Sequence, residues 1–216
     1  MSGRFLITGG EGFIGRNIKN YLVSVTDFQG LMNIAGQFDG IFHLAAVTSP
    51  PQFESDPLWE FEVNANGTLN VLEFARRKNI RRVVIASSSA TYGNTGKMSV
   101  EDNFPKSYAN IYPMTKVLDE YLARYYSSRD HVECISLRYF NTFGSGENTK
   151  SQYASVVWRF VQSLSEGERP VIYGDGEQSR DFIYVADKAR ASVLAMLHGR
   201  SGESYNIGTG VNTTLN

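Results

Sequence analysis

"TGGEGFIG", residues 8–15, follows the apolar run "RFLIT" and leads into "FIGRNIKNYL", where apolar residues recur at helical spacing. A strand that ends in glycines and opens a helix is the first unit of a dinucleotide-binding fold. Gly9 permits the tight turn, Gly12 lets the backbone approach a pyrophosphate, and Gly15 lets the helix pack on the strand. The free N–H groups and positive dipole end of the helix then favour phosphate binding.

The rest of the chain alternates strand and helix patterns. "GIFHLAA" (40–46), "RRVVIASSS" (81–89) and "VECISLRYF" (132–140) are β-rich runs with helical patterns between them. This alternation predicts an α/β fold with a doubly wound, Rossmann-type parallel sheet. After residue 140, glycine, serine and asparagine cluster, and shorter elements follow, among them a predicted strand "PVIYG" (170–174). We therefore predict a nucleotide-binding Rossmann domain over 1–140 and a partial, smaller substrate-binding lobe over 141–216, interleaved with the last Rossmann elements.

The composition excludes several classes of function. The net charge is −1 over 216 residues, which provides no electrostatic surface for nucleic acid. No apolar run approaches the roughly 18 residues of a membrane helix, and we expect no signal peptide. The three histidines are not spaced as ligands, so we expect no metal site. The single cysteine, Cys134, lies in an apolar run, which predicts a core thiol in a reducing, cytoplasmic compartment.

The segment "YPMTK" (112–116) places Tyr112 and Lys116 four residues apart, on one face of a helix. A lysine ammonium beside a phenol favours the phenolate, which can take a proton from a substrate hydroxyl. The helix over 112–126 is amphipathic. We expect its apolar residues to face the core, namely Val117, Leu118, Tyr121, Leu122 and Tyr125.

A run of serines precedes this helix. "ASSSATYG" (86–93) places hydroxyl groups at the end of a predicted strand. Open parallel sheets bind their ligands at that end of their strands. The serines, the glycine loop and the tyrosine–lysine pair are therefore predicted to form one site.

The motifs in their order resemble the extended short-chain dehydrogenase/reductases. The resemblance is greatest to the NAD-dependent nucleotide-sugar epimerases and dehydratases of the UDP-galactose 4-epimerase type. It rests on segments spread along the whole chain: "TGGEGFIG", "FHLAA", "VNANGTLNVLEFA", "ASSSATYG", "YPMTK", "LRYFNTFG", "YGDGEQSRDFIYVAD" and "YNIGTG".

The resemblance implies roles for individual residues. Ser88 matches the catalytic serine of the family, Tyr112 its base, and Lys116 the residue that assists the base and holds the nicotinamide ribose. The remaining cofactor-side matches are Gly9, Gly12, Phe13, Ile14, Asp27, Leu44, Ala45, Ala46, Asn64 and Tyr139. The substrate-side matches are Ser88, Ser89, Asn141, Tyr173 and Arg180.

One departure from the family pattern narrows the implied chemistry. Dehydratases of this family have an acidic pair after the catalytic serine, whereas this chain has Ser89 and Ala90. Without an acid to protonate a leaving hydroxyl, dehydration is disfavoured. The resemblance then implies epimerisation of a nucleotide-sugar at C4, through a transient 4-keto intermediate.

Alternatives stay open at this stage. The chain could be a sugar reductase or dehydrogenase that releases NADH or NADPH, a dehydratase, or a degenerate nucleotide-binding regulatory protein. The resemblance also implies a homodimer that forms through the helices bearing "DPLWEFEV" and "YPMTK".

The stretch "YLVSVTDFQG" (21–30) departs from the expected order of elements. An acidic residue that binds the ribose of NAD is expected about 20 residues past the glycines, after a second strand. There is no room for that strand, so it is predicted to be missing near residue 23. Either the protein lacks the segment or the 216 residues omit it. The second reading is favoured because losing a central strand would expose a sheet edge.

The far end of the chain agrees with an incomplete sequence, because the family continues into more of its substrate lobe beyond "NIGTGVNTTLN". The expected cofactor is NAD. NADP is not excluded, since the acidic residue that distinguishes the two is not in view.

Overall fold

The computed structural model describes residues 4–9, 23–48, 55–93, 108, 110–129, 132–147 and 155–216. Its centre is a five-stranded sheet made of β1 (Phe5–Thr8), β2 (Gly40–His43), β3 (Arg82–Ser88), β4 (Glu133–Tyr139) and β8 (Ser204–Ile207). The strands lie in the order β1-β2-β3-β4-β8 and all pairs are parallel. The predicted Rossmann-type sheet is thus confirmed, and the carboxyl ends of its strands meet at one edge.

The sheet begins at β1. Within the described residues, no strand pairs with the outer edge of β1. Residues 23–27 form a turn rather than a strand end, and Val25 is buried in the core. The predicted helix over 13–22 lies outside the described residues.

Helices cover both faces of the sheet. On one face, α1 (Phe28–Met32) is followed by α2 (Pro57–Phe61), α3 (Gly67–Arg77) and α4 (Tyr112–Arg129). Residues of α1, α3 and α4 share a buried cluster with alternate side chains of the strands, including Cys134. On the other face, α6 (Val185–His198) packs Ala195 and Met196 against side chains such as Val84 and Leu137. Cys134 is a buried core thiol, as predicted.

A π-helical turn, Glu62–Asn66, connects α2 to α3. Asp56 caps the start of α2 by accepting a hydrogen bond from Trp59 N at 3.0 Å. π-Helical turns are rare, and they are frequent at functional sites. Here the turn buries Asn64 and Ala65, while Glu62 stays at the surface.

Leu122 packs against the core cluster as predicted, but for Leu118, Tyr121 and Tyr125 the predicted orientation of α4 was wrong. Its buried face is largely polar and consists of Pro113, Thr115, Lys116, Asp119, Glu120, Ala123 and Tyr126. Tyr121 and Tyr125 are half exposed, at 54% and 50%, and Leu118 is exposed as well. The reason is that the inner face of α4 holds buried polar networks, which leaves the apolar stripe on the outside.

One of these networks is a buried ion pair that joins α4 to the sheet. Arg138 of β4 donates to Glu120 from Nε at 2.9 Å and from Nη2 at 2.7 Å. Glu120 also accepts from Ser87 Oγ at 2.6 Å and from Ser204 Oγ at 3.1 Å. The third arginine contact goes from Nη1 to the Tyr92 hydroxyl, at 2.8 Å. Every charged atom of the pair is therefore hydrogen bonded, which a buried pair requires.

The arginines of the basic segment "RRKNIRR" (76–82) form ion pairs with glutamates of the same chain. Arg76 and Arg77 pair with Glu73, and Arg81 and Arg82 pair with Glu133. Burial of a carboxylate would raise its pKa, but Arg81 and Arg82 together lower the pKa of Glu133. The segment therefore has its own partners within the chain.

Small elements form the C-terminal part. β5 (Asn141–Phe143) pairs in parallel with β7 (Phe182–Tyr184), and β6 (Ser179–Arg180) pairs antiparallel with β9 (Thr213–Thr214). The helix α5 (Val156–Ser165) has no buried residue. The predicted strand over 170–174 was wrong. Its apolar side chains are exposed, and no strand in the described part of the chain pairs with it.

Across these described ranges, none of the helices has the length and apolar character needed to span a bilayer. Nor do the same ranges contain three or more His, Cys, Asp or Glu side chains placed to hold a metal ion.

Candidate active site

The turn after β1 brings its backbone against the end of β2. Gly9 has φ +70, and a Cβ at this position would lie 2.7 Å from Ala45 N and 2.8 Å from the Leu44 carbonyl carbon. Only glycine combines this left-handed backbone with so close an approach. Leu44, Ala45 and Ala46, which were predicted on the cofactor side, are half-buried at this strand end. The other predicted loop residues, Gly12, Phe13 and Ile14, lie outside the described residues.

Gly9→Ala is therefore expected to destabilise the protein more than Gly167→Ala. Both glycines have left-handed φ values, +70 and +77, but nothing lies within 4 Å of a Cβ at Gly167. Each alanine costs about 1–2 kcal/mol for its backbone conformation. The clash at Gly9 adds about 1–3 kcal/mol. Urea unfolding of both variants measures the difference, and equal losses of unfolding free energy would contradict the close approach.

His43 links β1, β2 and α3 through a chain of hydrogen bonds in which each donor and acceptor can be assigned. Thr68 Oγ1 donates to Asn64 O at 2.6 Å, so it accepts from His43 Nε2 at 2.9 Å. The other ring nitrogen, Nδ1, then accepts from Thr8 Oγ1 at 2.7 Å. Burial, together with the charge of Lys116, lowers the pKa of His43 to about 3. The imidazole is therefore neutral and carries its hydrogen on Nε2.

Asn64 fastens the segment after β2 to the start of α4. Its Oδ1 accepts from Val47 N at 2.8 Å, and its Nδ2 donates to Val47 O at 3.1 Å. The same Nδ2 lies 3.3 Å from Thr115 Oγ1. Asn64 was predicted on the cofactor side, and the structure places its amide on the protein backbone just after Ala46.

Tyr112 begins α4, and Lys116 lies one turn further along the helix. Lys116 is 2% exposed, and its Nζ donates to Asp119 Oδ2 at 2.8 Å. Burial alone would lower the pKa of the lysine, but the charges of Asp119 and Tyr112 outweigh it and raise the pKa. Lys116 is therefore a buried cation that lies one helical turn after Tyr112.

Ser88 and Ser89 lie where β3 ends. Ser88 Oγ accepts from Ala90 N at 3.1 Å, which leaves the hydroxyl hydrogen free to donate. Ser88 is in register with Tyr139 on β4. Ser87 instead points its hydroxyl to Glu120.

Tyr139 faces α6, on the sheet face opposite to Lys116. Its hydroxyl lies 2.7 Å from Ser192 Oγ, and Lys188 Nζ lies 4.2 Å from the centre of its ring. Burial raises the pKa of Tyr139 to about 12 and lowers the pKa of Lys188 to about 7. Tyr139 thus sits at the predicted strand end, with its hydroxyl engaged within the protein.

The remaining predicted residues lie further out. Asp27 caps α1 by accepting from Gly30 N at 2.8 Å. Asn141 Nδ2 donates to Asp181 O at 3.3 Å. Arg180 is exposed and donates to Ser179 O, and Tyr173 is 77% exposed. Ser88 thus ends β3, Tyr112 and Lys116 lie on α4, and Asn64 contacts Thr115 of α4. Asp27 lies at the start of α1, and Tyr173 lies in the exposed segment after α5.

Sequence reasoning missed four buried polar residues of this region: His43, Glu60, Thr115 and Asp119. A weak signal existed for two of them. Glu60 is four residues before Asn64, and Asp119 is three residues after Lys116, so each shares a helix face with a predicted residue.

The chain is similar to proteins of known family and structure. A model of the NAD dependent epimerase/dehydratase family matches residues 23–208. The putative UDP-glucose 4-epimerase of Methanocaldococcus jannaschii is 31% identical over 242 aligned positions, covering 98% of this chain and 78% of that protein. The UDP-N-acetyl-alpha-D-glucosaminuronate decarboxylase of Bacillus cytotoxicus is 30% identical, covering 97% of this chain and 76% of that protein.

Among solved structures, the UDP-N-acetylglucosamine 4-epimerase from Methanobrevibacter ruminantium M1, in complex with UDP-N-acetylmuramic acid, superposes with a TM-score of 0.90. It is 30% identical and is matched over 99% of this chain and 78% of its own. The 242 positions aligned with the Methanocaldococcus protein exceed the 216 residues present here. That relative therefore has residues between the matched segments for which this chain has no counterpart.

Proposed function

Because the chain belongs to the NAD dependent epimerase/dehydratase family, we propose that it interconverts UDP-glucose and UDP-galactose by epimerisation at C4. The observation that carries the proposal is the buried Lys116, ion-paired to Asp119 and one helical turn after Tyr112. The similarity to a protein named as a UDP-glucose 4-epimerase supports this choice of substrate.

The described residues fit NAD at the turn after β1. Gly9 lies so close to Ala45 that no side chain separates the two backbones, which fits the tight turn made by the first glycine of a pyrophosphate loop. Gly9 and the strand end Leu44–Ala46 would lie under the cofactor, and Lys116 would hold its nicotinamide ribose. Gly12, Phe13, Ile14, Asp27, Asn64 and Tyr139 remain proposed cofactor-side residues. When bound, NAD supplies a reversible acceptor for the two electrons removed from C4.

The residues of the chain move and hold the proton. Tyr112 takes the proton of the sugar 4-hydroxyl, and the positive charge of Lys116 favours the phenolate that does so. Ser88 already accepts from Ala90 N, so its hydroxyl donates to the same sugar oxygen. Tyr112 would return the proton to the same oxygen once C4 has regained its hydride on the opposite face, so the reaction ends without net oxidation. At the positions where dehydratases have acids, this chain has Ser89 and Ala90, which disfavours loss of a hydroxyl.

The substrate diphosphate is proposed to lie near Asn141 and Arg180, with the base near Tyr173. Ser89 is a proposed substrate-side hydroxyl next to Ser88. Arg180 is exposed, and its planar guanidinium suits two phosphate oxygens at once. The same exposure makes the aromatic ring of Tyr173 available to stack on a base.

Incubation of the protein with UDP-glucose tests the function. UDP-galactose should appear, and absorbance at 340 nm should stay constant because no reduced cofactor is released. Absence of UDP-galactose in the presence of added NAD would overturn the proposal. A steady rise at 340 nm would instead identify a dehydrogenase.

We also propose a homodimer, formed through the exposed apolar face of α2 and α4. The large exposed side chains there are Leu58, Trp59, Phe61, Met114, Leu118, Tyr121 and Tyr125. Exposed large apolar side chains that are grouped on neighbouring helices are typical of a protein–protein interface. Sedimentation should give about twice the 24.1 kDa of one chain, and a monomer at micromolar concentration would contradict the dimer.

The cytoplasm is the proposed compartment, because the single Cys134 is a free, buried thiol that suits a reducing environment. Cell fractionation tests this, and recovery of the protein outside the cytoplasmic fraction would refute it.

A further inference from the structure

The hydroxyl of Ser88 takes its direction from the turn that follows β3. Ser88 is the last residue of that strand, and Ser89–Tyr92 form a short 3₁₀ turn. Ser88 Oγ accepts from Ala90 N at 3.1 Å, while Thr91 Oγ1 donates to Ser88 O at 2.8 Å. The strand fixes the backbone of Ser88, but the position of the turn decides where its hydroxyl points.

Tyr92 anchors this turn in the interior of the protein. Its side chain is 4% exposed, and its hydroxyl donates to Asn206 Oδ1 on β8 at 2.7 Å. The same hydroxyl accepts from Arg138 Nη1 on β4 at 2.8 Å, and the guanidinium carbon lies 4.9 Å from the centre of the Tyr92 ring. Arg138 and Asn206 lie in register on neighbouring strands. One buried hydroxyl therefore ties the turn after β3 to two strands of the sheet.

Arg138 extends this link to α4, the helix that begins with Tyr112. Its guanidinium donates from Nε and Nη2 to the carboxylate of Glu120, at 2.9 Å and 2.7 Å. Glu120 is four residues after Lys116 and therefore lies on the same face of the helix. A continuous series of contacts, none longer than 2.9 Å, thus joins the turn that orients Ser88 to the helix that carries Tyr112.

We propose that Tyr92 is a positioning residue of the reaction, which holds the turn after β3 so that the Ser88 hydroxyl and Tyr112 face the same sugar oxygen. This inference rests on the proposed function, in which Ser88 donates to that oxygen and Tyr112 takes its proton. Tyr92 itself is buried, and it acts through the turn that orients Ser88.

Tyr92→Phe tests the proposal, because it removes the hydroxyl and keeps the ring against Arg138. The turn should persist, since the Tyr108 hydroxyl still donates to Thr91 O at 3.0 Å. We expect kcat for conversion of UDP-glucose to fall about tenfold, less than the roughly hundredfold loss that a 1 Å misplacement can cause. KM should change little, because Ser88 acts on the reacting oxygen. An unchanged kcat would overturn the proposal.

Tyr126→Phe is the matched control for this variant. It also removes the hydroxyl of a buried tyrosine, one that donates to Glu73 Oε2 at 3.3 Å near the other end of α4. Its kcat should stay within about twofold of the unmodified protein, because that hydroxyl is not linked to the turn after β3. A fall in kcat equal to that of Tyr92→Phe would contradict a specific role for Tyr92.

A double-mutant cycle with Ser88→Ala separates positioning from a merely structural role. If Tyr92 acts through Ser88, Tyr92→Phe should lower kcat by no more than about twofold in the Ser88→Ala protein, because no hydroxyl is left to orient. A merely structural Tyr92 would lower kcat by the same factor with and without Ser88. That result would overturn the proposal.

Amide hydrogen exchange provides a measurement that does not require turnover. The Ala90 amide donates to Ser88 Oγ, so its exchange rate reports how firmly the turn holds the serine. In Tyr92→Phe this amide should exchange about tenfold faster, the effect of one lost hydrogen bond, and in Tyr126→Phe its rate should not change. An unchanged rate in Tyr92→Phe would overturn the anchoring role even in an active enzyme. Faster exchange in a protein that does not convert UDP-glucose would uphold the anchor and refute only the proposed function.

Discussion

Tyr112→Phe is expected to lower kcat for epimerisation about a thousandfold, because general acid–base catalysis contributes about 10²–10⁴. Phenylalanine keeps the ring at the start of α4 but removes the oxygen that takes the proton. The buried Lys116 keeps its ion pair with Asp119, so the local fold should persist. KM should change little, since the phenol acts mainly on the reacting proton. Steady-state conversion of UDP-glucose, followed by separation of the two UDP-sugars, measures the effect.

Tyr121→Phe is the matched control for this experiment. It makes the same chemical change on the same helix, at a side chain that is 54% exposed. Its kcat should stay within about twofold of the unmodified protein, because the change removes one hydroxyl group from the proposed dimer face and leaves the active site untouched. If Tyr112→Phe kept kcat within tenfold, Tyr112 would not be the base.

Arg138→Met is expected to reduce the free energy of unfolding by about 3–5 kcal/mol, the usual effect of removing one member of a buried ion pair. The Arg138 side chain is 4% exposed, and its loss leaves Glu120 as a buried charge without a cation. Ser87 and Ser204 donate to Glu120 but do not neutralise it. Urea unfolding followed by circular dichroism measures the change.

Arg81→Met provides the comparison, because it also removes an arginine from a pair with a glutamate. The Arg81 side chain is 80% exposed, and its partner Glu133 keeps Arg82. An exposed pair contributes only about 0–1 kcal/mol, so this variant should unfold almost like the original. Equal losses of unfolding free energy in the two variants would show that burial does not determine how much the Arg138–Glu120 pair stabilises the protein.

The central sheet could be predicted from sequence because its signal is local. Buried parallel strands are short, continuous apolar runs, and "GIFH" and "RVVIASS" have that form. The tyrosine and lysine of α4 were also visible, since four residues separate two side chains on one helix face. Both inferences depend only on residues close together in the chain.

The inner face of α4 could not be predicted in the same way. Asp119 and Glu120 have the appearance of solvent-exposed helix residues, and only contacts with distant segments bury them. Glu120 meets Arg138, and Asp119 lies beneath α3 and beside Lys116. The periodicity of the sequence predicted that the apolar face of α4 would contact the core. In the structure the polar networks of Lys116 and Glu120 occupy the inner face of the helix. Glu60 escaped prediction for the same reason, because its burial comes from packing between helices.

The all-parallel sheet has a consequence for how the chain reaches its native state. Each strand pairs with a neighbour at least 35 positions away in sequence, and none of the pairings within this sheet is a hairpin. Each such contact must first close a long loop, at an entropic cost that local contacts avoid. During synthesis β1 cannot pair with β2 until β2 has left the ribosome. Acquisition of structure is therefore expected to be slow, with aggregation as its main competitor.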